Sequence, residues 1–292
     1  MKKLNYELKQ LQNNNKQGSF NTQRNRGRIL QQMANDLDAM GFKKMGAKSI
    51  KGRHVQALIN HWQSDTGAKR ALSTGTIKNR MAVLRWWSNK VGKRGLVAGS
   101  NEHYGLANRV YVTGLDKSSE LAASKLSKVT DEDVKLSLRL QAAFGLRREE
   151  AIKFIASYAD RGDHIRLKGS WAKGGRPRVV PVRTEKQREL LNAVRERAGY
   201  GGALIPAHKN YIQQLRSYTY QTIKAGLHRN HGRHRYAQDR YRELTGREPP
   251  CCGGPARAEL SKKDFRADRK ARKQIALELG HNRIQIVATY CG

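Results

Sequence analysis

From His164 the hydrophobic period of this chain changes, and that change constrains the fold more than any other feature. His164-Ile165-Arg166-Leu167-Lys168 alternates as a strand does, Lys173-Gly174-Gly175 supplies a turn, and Arg178-Val179-Val180-Pro181-Val182 returns as a second strand. On either side of this hairpin, apolar residues recur every three or four positions, which is helical spacing. The expected fold is mainly α with a small β-hairpin. At 292 residues the chain is long enough for two domains, each with its own core.

Residues 1–19 are polar and rich in Asn and Gln, the composition of a basic flexible arm. Three helical patterns follow. Leu30, Met33, Leu37 and Met40 mark one that ends at Gly41; Val55, Leu58, Ile59 and Trp62 mark another; Ile77, Met81, Leu84 and Trp87 mark a third, opening at the Ser73-Thr74-Gly75-Thr76 cap cluster. They predict a helical domain over residues 20–120, with the boundary between Asp116 and Val129. Because Trp86 adjoins Trp87, one of the two indoles is expected to face outward.

Lys and Arg number 58 against 24 Asp and Glu, a net charge of +34 spread along the whole chain. Such an excess calls for a polyanion, and nucleic acid fits better than an acidic membrane, since basic groups displace the counterions condensed on phosphates. No stretch approaches the roughly 20 apolar residues of a membrane span, and Met1-Lys2-Lys3 opens into polar sequence without a signal-peptide core. A soluble, cytoplasmic, nucleoid-associated protein is expected. Three cysteines are too few for a disulfide framework. Cys251 and Cys252 are adjacent, which suits neither a C-x-x-C clasp nor an easy mutual bridge, so reduced thiols are expected. His228, His231 and His234 cluster without acidic or thiolate ligands beside them, and no metal or cofactor is expected.

The second domain is expected over residues 125–292. Thr130-Asp131-Glu132-Asp133 caps a helix running to Phe144-Gly145, and Gly145-Leu146-Arg147-Arg148-Glu149-Glu150 opens the next, with Arg147 and Glu150 three residues apart on one face. The hairpin follows. The densest basic cluster is Gly226 to Ala237, holding His228, Arg229, His231, Arg233, His234 and Arg235 with no acid among them; these cations repel one another unless an anion sits there. Residues 238–275, with Pro249-Pro250-Cys251-Cys252-Gly253-Gly254-Pro255 inside them, read as an inserted loop.

The order of these blocks resembles the tyrosine recombinase (phage integrase) family. Its pattern is Gly-Leu-Arg-x-x-Glu, a hairpin lysine in Lys-Gly-x-x-x-Arg-x-Val-Pro, His-x-x-Arg-His, and Leu-Gly-His followed nine residues later by a nucleophilic tyrosine. This chain has Gly145-Leu146-Arg147-Arg148-Glu149-Glu150, Lys173-Gly174 through Arg178-Val179-Val180-Pro181, Arg233-His234, and Leu279-Gly280-His281 with Tyr290 at the nine-residue spacing. One block departs: three residues before Arg233 stands Asn230, and His231 lies one residue late. Either His231 does the histidine's work, the reading carried forward, or Asn230 occupies the place with weaker proton-transfer ability. Only Cys291 and Gly292 follow the tyrosine, so assembly contacts are expected from elsewhere, with the 238–275 segment as one source.

The resemblance implies a helical core-binding domain followed by a catalytic domain, and a site-specific recombinase or integrase of a mobile genetic element. Such an enzyme cuts and rejoins double-stranded DNA through a 3′-phosphotyrosyl bond, as a homotetramer on two sites. The implied catalytic residues are Arg147, Lys173, His231, Arg233, His281 and Tyr290, with Glu150 in support. Arginines at 147 and 233 suit the non-bridging phosphate oxygens, the histidines hydrogen-bond the phosphate and assist proton transfer, and Lys173 is the expected general acid. Lys78, Arg80, Arg85, Arg178 and Arg235 are the expected DNA contacts. Three other readings stay open: a DNA-binding protein with decayed catalysis, a type IB topoisomerase-like enzyme, and a basic structural or ribosome-associated protein.

Overall fold

The apolar stripes of the first hundred residues become a helical bundle. In the computed structural model, which describes residues 2–65, 70–172, 174–227 and 232–292, the chain divides into two units, Met1–Val110 and Tyr111–Gly292. The first unit holds α1 (Lys3–Asn13), α2 (Phe20–Ala39), α3 (Gly52–Gln63) and α4 (Thr74–Lys90). Ser19 caps α2, its Oγ accepting from the Thr22 N–H at 3.3 Å, and Ser73 caps α4 in the same way. Leu30, Met33, Leu37, Val55, Leu58, Trp62, Met81, Leu84 and Trp87 are all buried in one core. Of the paired indoles, Trp87 points inward and donates to the Ala47 carbonyl at 3.0 Å, while Trp86 is half-buried with the Arg26 guanidinium 4.5 Å above its ring.

The expected arm at residues 1–19 is a correction. Most of it is α1, which buries Leu4 and Leu8 against α2 and lays Asn5 between Gln31 and Asn35, at 2.8 and 3.0 Å. Leu4, Leu8 and Leu11 keep the i, i+4, i+7 spacing of a packed face. The amides beside them disguise it, because Asn5 and Gln12 pair with the neighbouring helix instead of with water.

The second unit begins with α5 (Ala123–Leu126), α6 (Glu132–Phe144), α7 (Arg148–Ile152) and α8 (Ala156–Ala159). The hairpin of β1 (His164–Leu167) and β2 (Arg178–Pro181) follows, then α9 (Glu185–Ala198), α10 (Tyr211–Lys224), α11 (Arg233–Thr245), α12 (Lys262–Glu278) and α13 (Ala288–Cys291). The strands are antiparallel with Ile165 opposite Val180, and both side chains enter a core shared with Phe144, Leu191, Tyr241, Ile275 and Leu279. Around Val134, Leu138, Ile152 and Tyr218 a smaller core fastens α10. No helix among the described residues is long and apolar enough to cross a membrane.

The inserted loop expected at 238–275 is also corrected. Its first residues continue α11 and its last belong to α12, so the connection is only residues 246–261, with two short 3-10 turns. The charged residues that suggest a loop are buried in pairs: Arg240 with Glu278 at 3.1 Å, and Arg272 with Asp268 at 2.7 Å. Between them Tyr241, Ala271 and Ile275 carry the apolar contact.

Candidate active site

The C-terminal end of α12 organises the site. Every helix ends with backbone carbonyls that have no partner of their own, and here the last two, with the carbonyl of the residue that follows, are met by three arginines from three other elements. Arg178 on β2 donates through Nε to Glu278 O at 2.8 Å, Arg233 at the start of α11 through Nη2 to Leu279 O at 2.9 Å, and Arg147 ahead of α7 through Nη2 to Gly280 O at 3.4 Å. The negative end of the helix dipole favours cations at this place. Gly280, at φ +69°, lets the chain reverse: its N–H bonds Leu277 O at 2.9 Å and the His281 N–H bonds Ala276 O at 2.8 Å, the paired bonds of a Schellman cap. A side chain at 280 would press on the Arg178 and Arg147 side chains. The Leu-Gly-His motif is thus the device that sets three guanidinium groups side by side and turns His281 toward them.

The arginines are held in different ways. Glu150, fully buried on α7, receives both outer nitrogens of Arg178 at 2.6 Å each, the Arg147 N–H at 2.6 Å and the Arg147 Nη1 at 2.9 Å. Burial pushes the Glu150 carboxyl up, but the Arg178 hydrogen bonds and charge, with Arg147 behind them, outweigh it and bring the group down to about 2. Arg233 has no carboxylate among these partners. It is 7% exposed and bonds Gly145 O at 2.6 Å, Leu279 O and, at 3.2 Å, His281 Nε2, all neutral acceptors. Gly232 before it sits at φ +77°, and a Cβ there would strike the Ala142 backbone, so glycine alone lets α11 start close enough to bury this arginine.

The 3-10 turn at Ile284–Val287 and α13 bring Tyr290 back over this platform, with Val287 and Cys291 anchoring it in the core. The Tyr290 hydroxyl lies 3.1 Å from His281 Nε2, and the Arg233 guanidinium lies 5.8 Å from its ring centroid. Burial, then the charges of Arg233, Arg147 and Arg178, hold His281 down to about 4, which leaves a neutral imidazole at pH 7. Its Nε2 sits between one donor from Arg233 and the phenol, as an acceptor with that proton within reach. Arg147, Arg148, Arg233, His234, His281 and Tyr290 line a cleft of about 290 Å³.

Of the expected catalytic residues, Arg147, Arg233, His281 and Tyr290 meet here with Glu150 beneath them. Lys173, Asn230 and His231 lie outside the described residues. The expected DNA contacts fare less evenly. Arg178 is buried, with three donors committed to Glu150 and Glu278 O, so its place is inside the platform and not on a DNA surface. Arg80 pairs with buried Asp36 at 3.3 Å against the Trp62 ring, and Arg85 bonds Ala98 O and Asn101 Oδ1 at 2.7 Å each; both are half-buried with these bonds inside the first unit. Lys78 reaches Asn108 at 3.1 Å, and Arg235 is exposed beside Asp239 at 3.0 Å. His234 was missed as a site residue. Its ring centroid is 4.8 Å from that of Tyr290, its buried Nδ1 has no hydrogen-bond partner among the described residues, and burial with the Lys117 and Arg233 charges lowers its pKa. Its place directly after Arg233 was the available signal.

Comparisons with known proteins agree with this architecture. The phage integrase N-terminal family matches residues 1–97, and the integrase family matches residues 113–239. Among curated proteins no sequence matches the chain. A lambda integrase tetramer bound to a Holliday junction superposes with a TM-score of 0.60 at 13% identity, covering 98% of this chain and 76% of that one. The Tn1549 transposon integrase in complex with circular intermediate DNA gives 0.58 at 13% identity, covering 100% and 96%. XerH site-specific recombinase bound to difH substrate, as a pre-cleavage complex, gives 0.52 at 16% identity, covering 92% and 75%. At these identities the likeness is one of fold.

Proposed function

The chain belongs to the phage integrase family of tyrosine recombinases, and from that premise we propose that it is an active site-specific recombinase of a mobile element, with Tyr290 as its nucleophile. The observation that carries this reading is Arg233, a buried guanidinium whose named partners are all neutral, set beneath the Tyr290 ring. An uncompensated buried charge costs several kcal/mol unless an anion meets it. The cleft that exposes this charge is lined by the Tyr290 phenol and is roomy enough for a phosphate.

In the proposed reaction a DNA phosphodiester enters the cleft, and Arg147 and Arg233 donate to its non-bridging oxygens. His281 accepts the phenolic proton as Tyr290 Oη attacks phosphorus. The bond to the 5′ oxygen breaks, that oxygen leaves as a hydroxyl, and a 3′-phosphotyrosyl bond replaces the phosphodiester. Attack by the 5′-hydroxyl of a second strand reverses the chemistry and releases Tyr290, so exchange needs no external energy source. Lys173 is the proposed proton donor to the leaving oxygen, and His231 a further phosphate partner. Glu150 and Arg178 position Arg147 and take no part in bond changes. Double-stranded attachment sites are the substrate, and a homotetramer on two of them is the working assembly.

Covalent capture tests this. Incubated with nicked duplexes covering the DNA that flanks its own gene, the protein should yield an adduct on a denaturing gel. Tyr290→Phe should lower adduct formation by about three orders of magnitude or more while leaving binding intact. Tight, salt-sensitive binding without any adduct would leave a DNA-binding protein in place of a recombinase.

A further inference from the structure

Packed on α13, the connection at 246–261 brings its two adjacent cysteines together with Asp116 at the start of the second unit. Cys251 and Cys252 place their Sγ atoms 3.8 Å apart, and a carboxylate oxygen of Asp116 joins them so that the three atoms lie within 4.8 Å of one another. Adjacent cysteines are unpromising ligands in sequence, but this separation is informative. Two sulfurs bound at about 2.3 Å to a tetrahedral zinc stand about 3.8 Å apart.

Gln238 on α11 supplies a second, independent observation. It is 1% exposed, and its Nε2 faces three acceptors at once: Asp116 Oδ1 at 2.7 Å, Tyr290 O at 3.3 Å and Cys251 Sγ at 3.5 Å. One NH2 group has two hydrogens, so it cannot satisfy all three. Its Oε1, meanwhile, is buried with no hydrogen-bond partner among the described residues. Turning the amide by half a turn, an exchange that the heavy-atom shape does not distinguish, sets this oxygen where the nitrogen stands. Three electron-rich atoms converging on one nitrogen, beside an orphaned oxygen, are an arrangement that a cation resolves.

We propose that Asp116, Cys251 and Cys252, with the Gln238 amide oxygen as fourth ligand, bind a thiophilic divalent cation of the zinc class. Binding releases the two thiol protons and forms two metal–sulfur bonds, with no change of oxidation state. Cation and protons compete for the same two sulfurs. The site lies one carbonyl from the nucleophile: Cys251 Sγ donates to Tyr290 O at 3.3 Å, and Gln238 does so beside it. Metal binding withdraws both donors from that carbonyl, which makes the site a means of setting the position of α13.

The experiment is cobalt titration of the reduced, full-length protein followed by zinc competition. One Co2+ per chain is expected, with the visible bands of a tetrahedral site and a sulfur-to-cobalt charge-transfer band, all displaced by Zn2+. Cys251→Ser with Cys252→Ser should weaken binding by at least about a hundredfold and abolish the charge-transfer band. Asp116→Asn should weaken it less. Absence of the sulfur band overturns the proposal, and so does unchanged affinity in the double variant, which would move binding to the histidines around His234. Should the double variant fail to fold, the native protein decides: zinc should slow alkylation of Cys251 and Cys252, mapped by mass spectrometry, and an unchanged rate overturns the site.

Discussion

The basic bundle of the first unit and the arginine platform of the second bury cations by opposite rules. Arg80 is set against Asp36, a carboxylate 6% exposed, and the pair is electrically closed. Arg233 is set against backbone carbonyls and a neutral histidine, and Arg147 shares its single carboxylate with Arg178. Carbonyl oxygens fix the geometry of a guanidinium without cancelling its charge. A buried arginine paired with an acid contributes to the fold, whereas one held by dipoles keeps its charge for a ligand.

The sharpest way to break this contrast is to remove each arginine in turn. Arg233→Ala should lower strand cleavage by about a hundred- to a thousandfold, the usual cost of a missing donor to a developing oxyanion. Its effect on unfolding by urea should be the smaller of the two, because it strands the Gly145 and Leu279 carbonyls and no buried charge. Arg80→Ala should do the reverse. It leaves Asp36 buried with the Trp62 and Gln32 side chains as donors, at 3.2 and 2.9 Å, and the His61 ring at 3.8 Å, and should cost about 2 to 3 kcal/mol while cleavage per folded molecule is preserved. If Arg233→Ala unfolds the protein and Arg80→Ala does not, the distinction between the two kinds of burial is wrong.

Glu150 sharpens the comparison through pH. Its folded pKa of about 2 lies below the ordinary 4.5, so the stability it contributes is complete above 4.5 and is lost as pH falls toward 2. The shift corresponds to roughly 3 kcal/mol at neutral pH. Glu150→Gln places an amide N–H against an Arg178 donor and should lose about that much at pH 7. In urea melts the gap between the two proteins should close as pH drops from 4.5 to 2. A gap that persists at pH 2 would mean that shape, not charge, makes Glu150 matter.

The same contrast explains what the sequence shows and what it hides. The motif blocks single out Arg147, Glu150, His281 and Tyr290, which the fold brings together, because their places depend on neighbours three or nine residues away, and a helical cap or a Leu-Gly-His turn can be read along the chain. The hairpin and the three helices at 20–90 follow from periodicity alone. Arg178 is hidden, since an arginine on a strand looks solvated until Glu150, 28 residues earlier, is known to lie beneath it. Residues 238–275 look like a loop for the same reason: Arg240, Asp268 and Arg272 are polar in sequence yet buried by partners that only the fold brings near. Cys251, Cys252 and Asp116 are the extreme case, 135 residues separating the first cysteine from the carboxylate.

Arg235 carries the smallest expected effect and tests the expected DNA surface most directly. It lies on α11 two residues beyond Arg233 but faces outward, in an i, i+4 pair with Asp239 in which both side chains are about half exposed. Such a pair contributes about 0.5 kcal/mol or less, and Asp239 keeps Arg242 at 2.7 Å as a second partner, so Arg235→Ala should leave the urea midpoint nearly unchanged. Contact with a DNA phosphate would show elsewhere. Removing one phosphate contact lowers the slope of log affinity against log salt by about one and weakens binding equally across sequences. A changed slope with unchanged stability would place Arg235 with Arg147 and Arg233, the proposed phosphate partners. An unchanged slope places it with Arg80, as a charge the protein uses on itself.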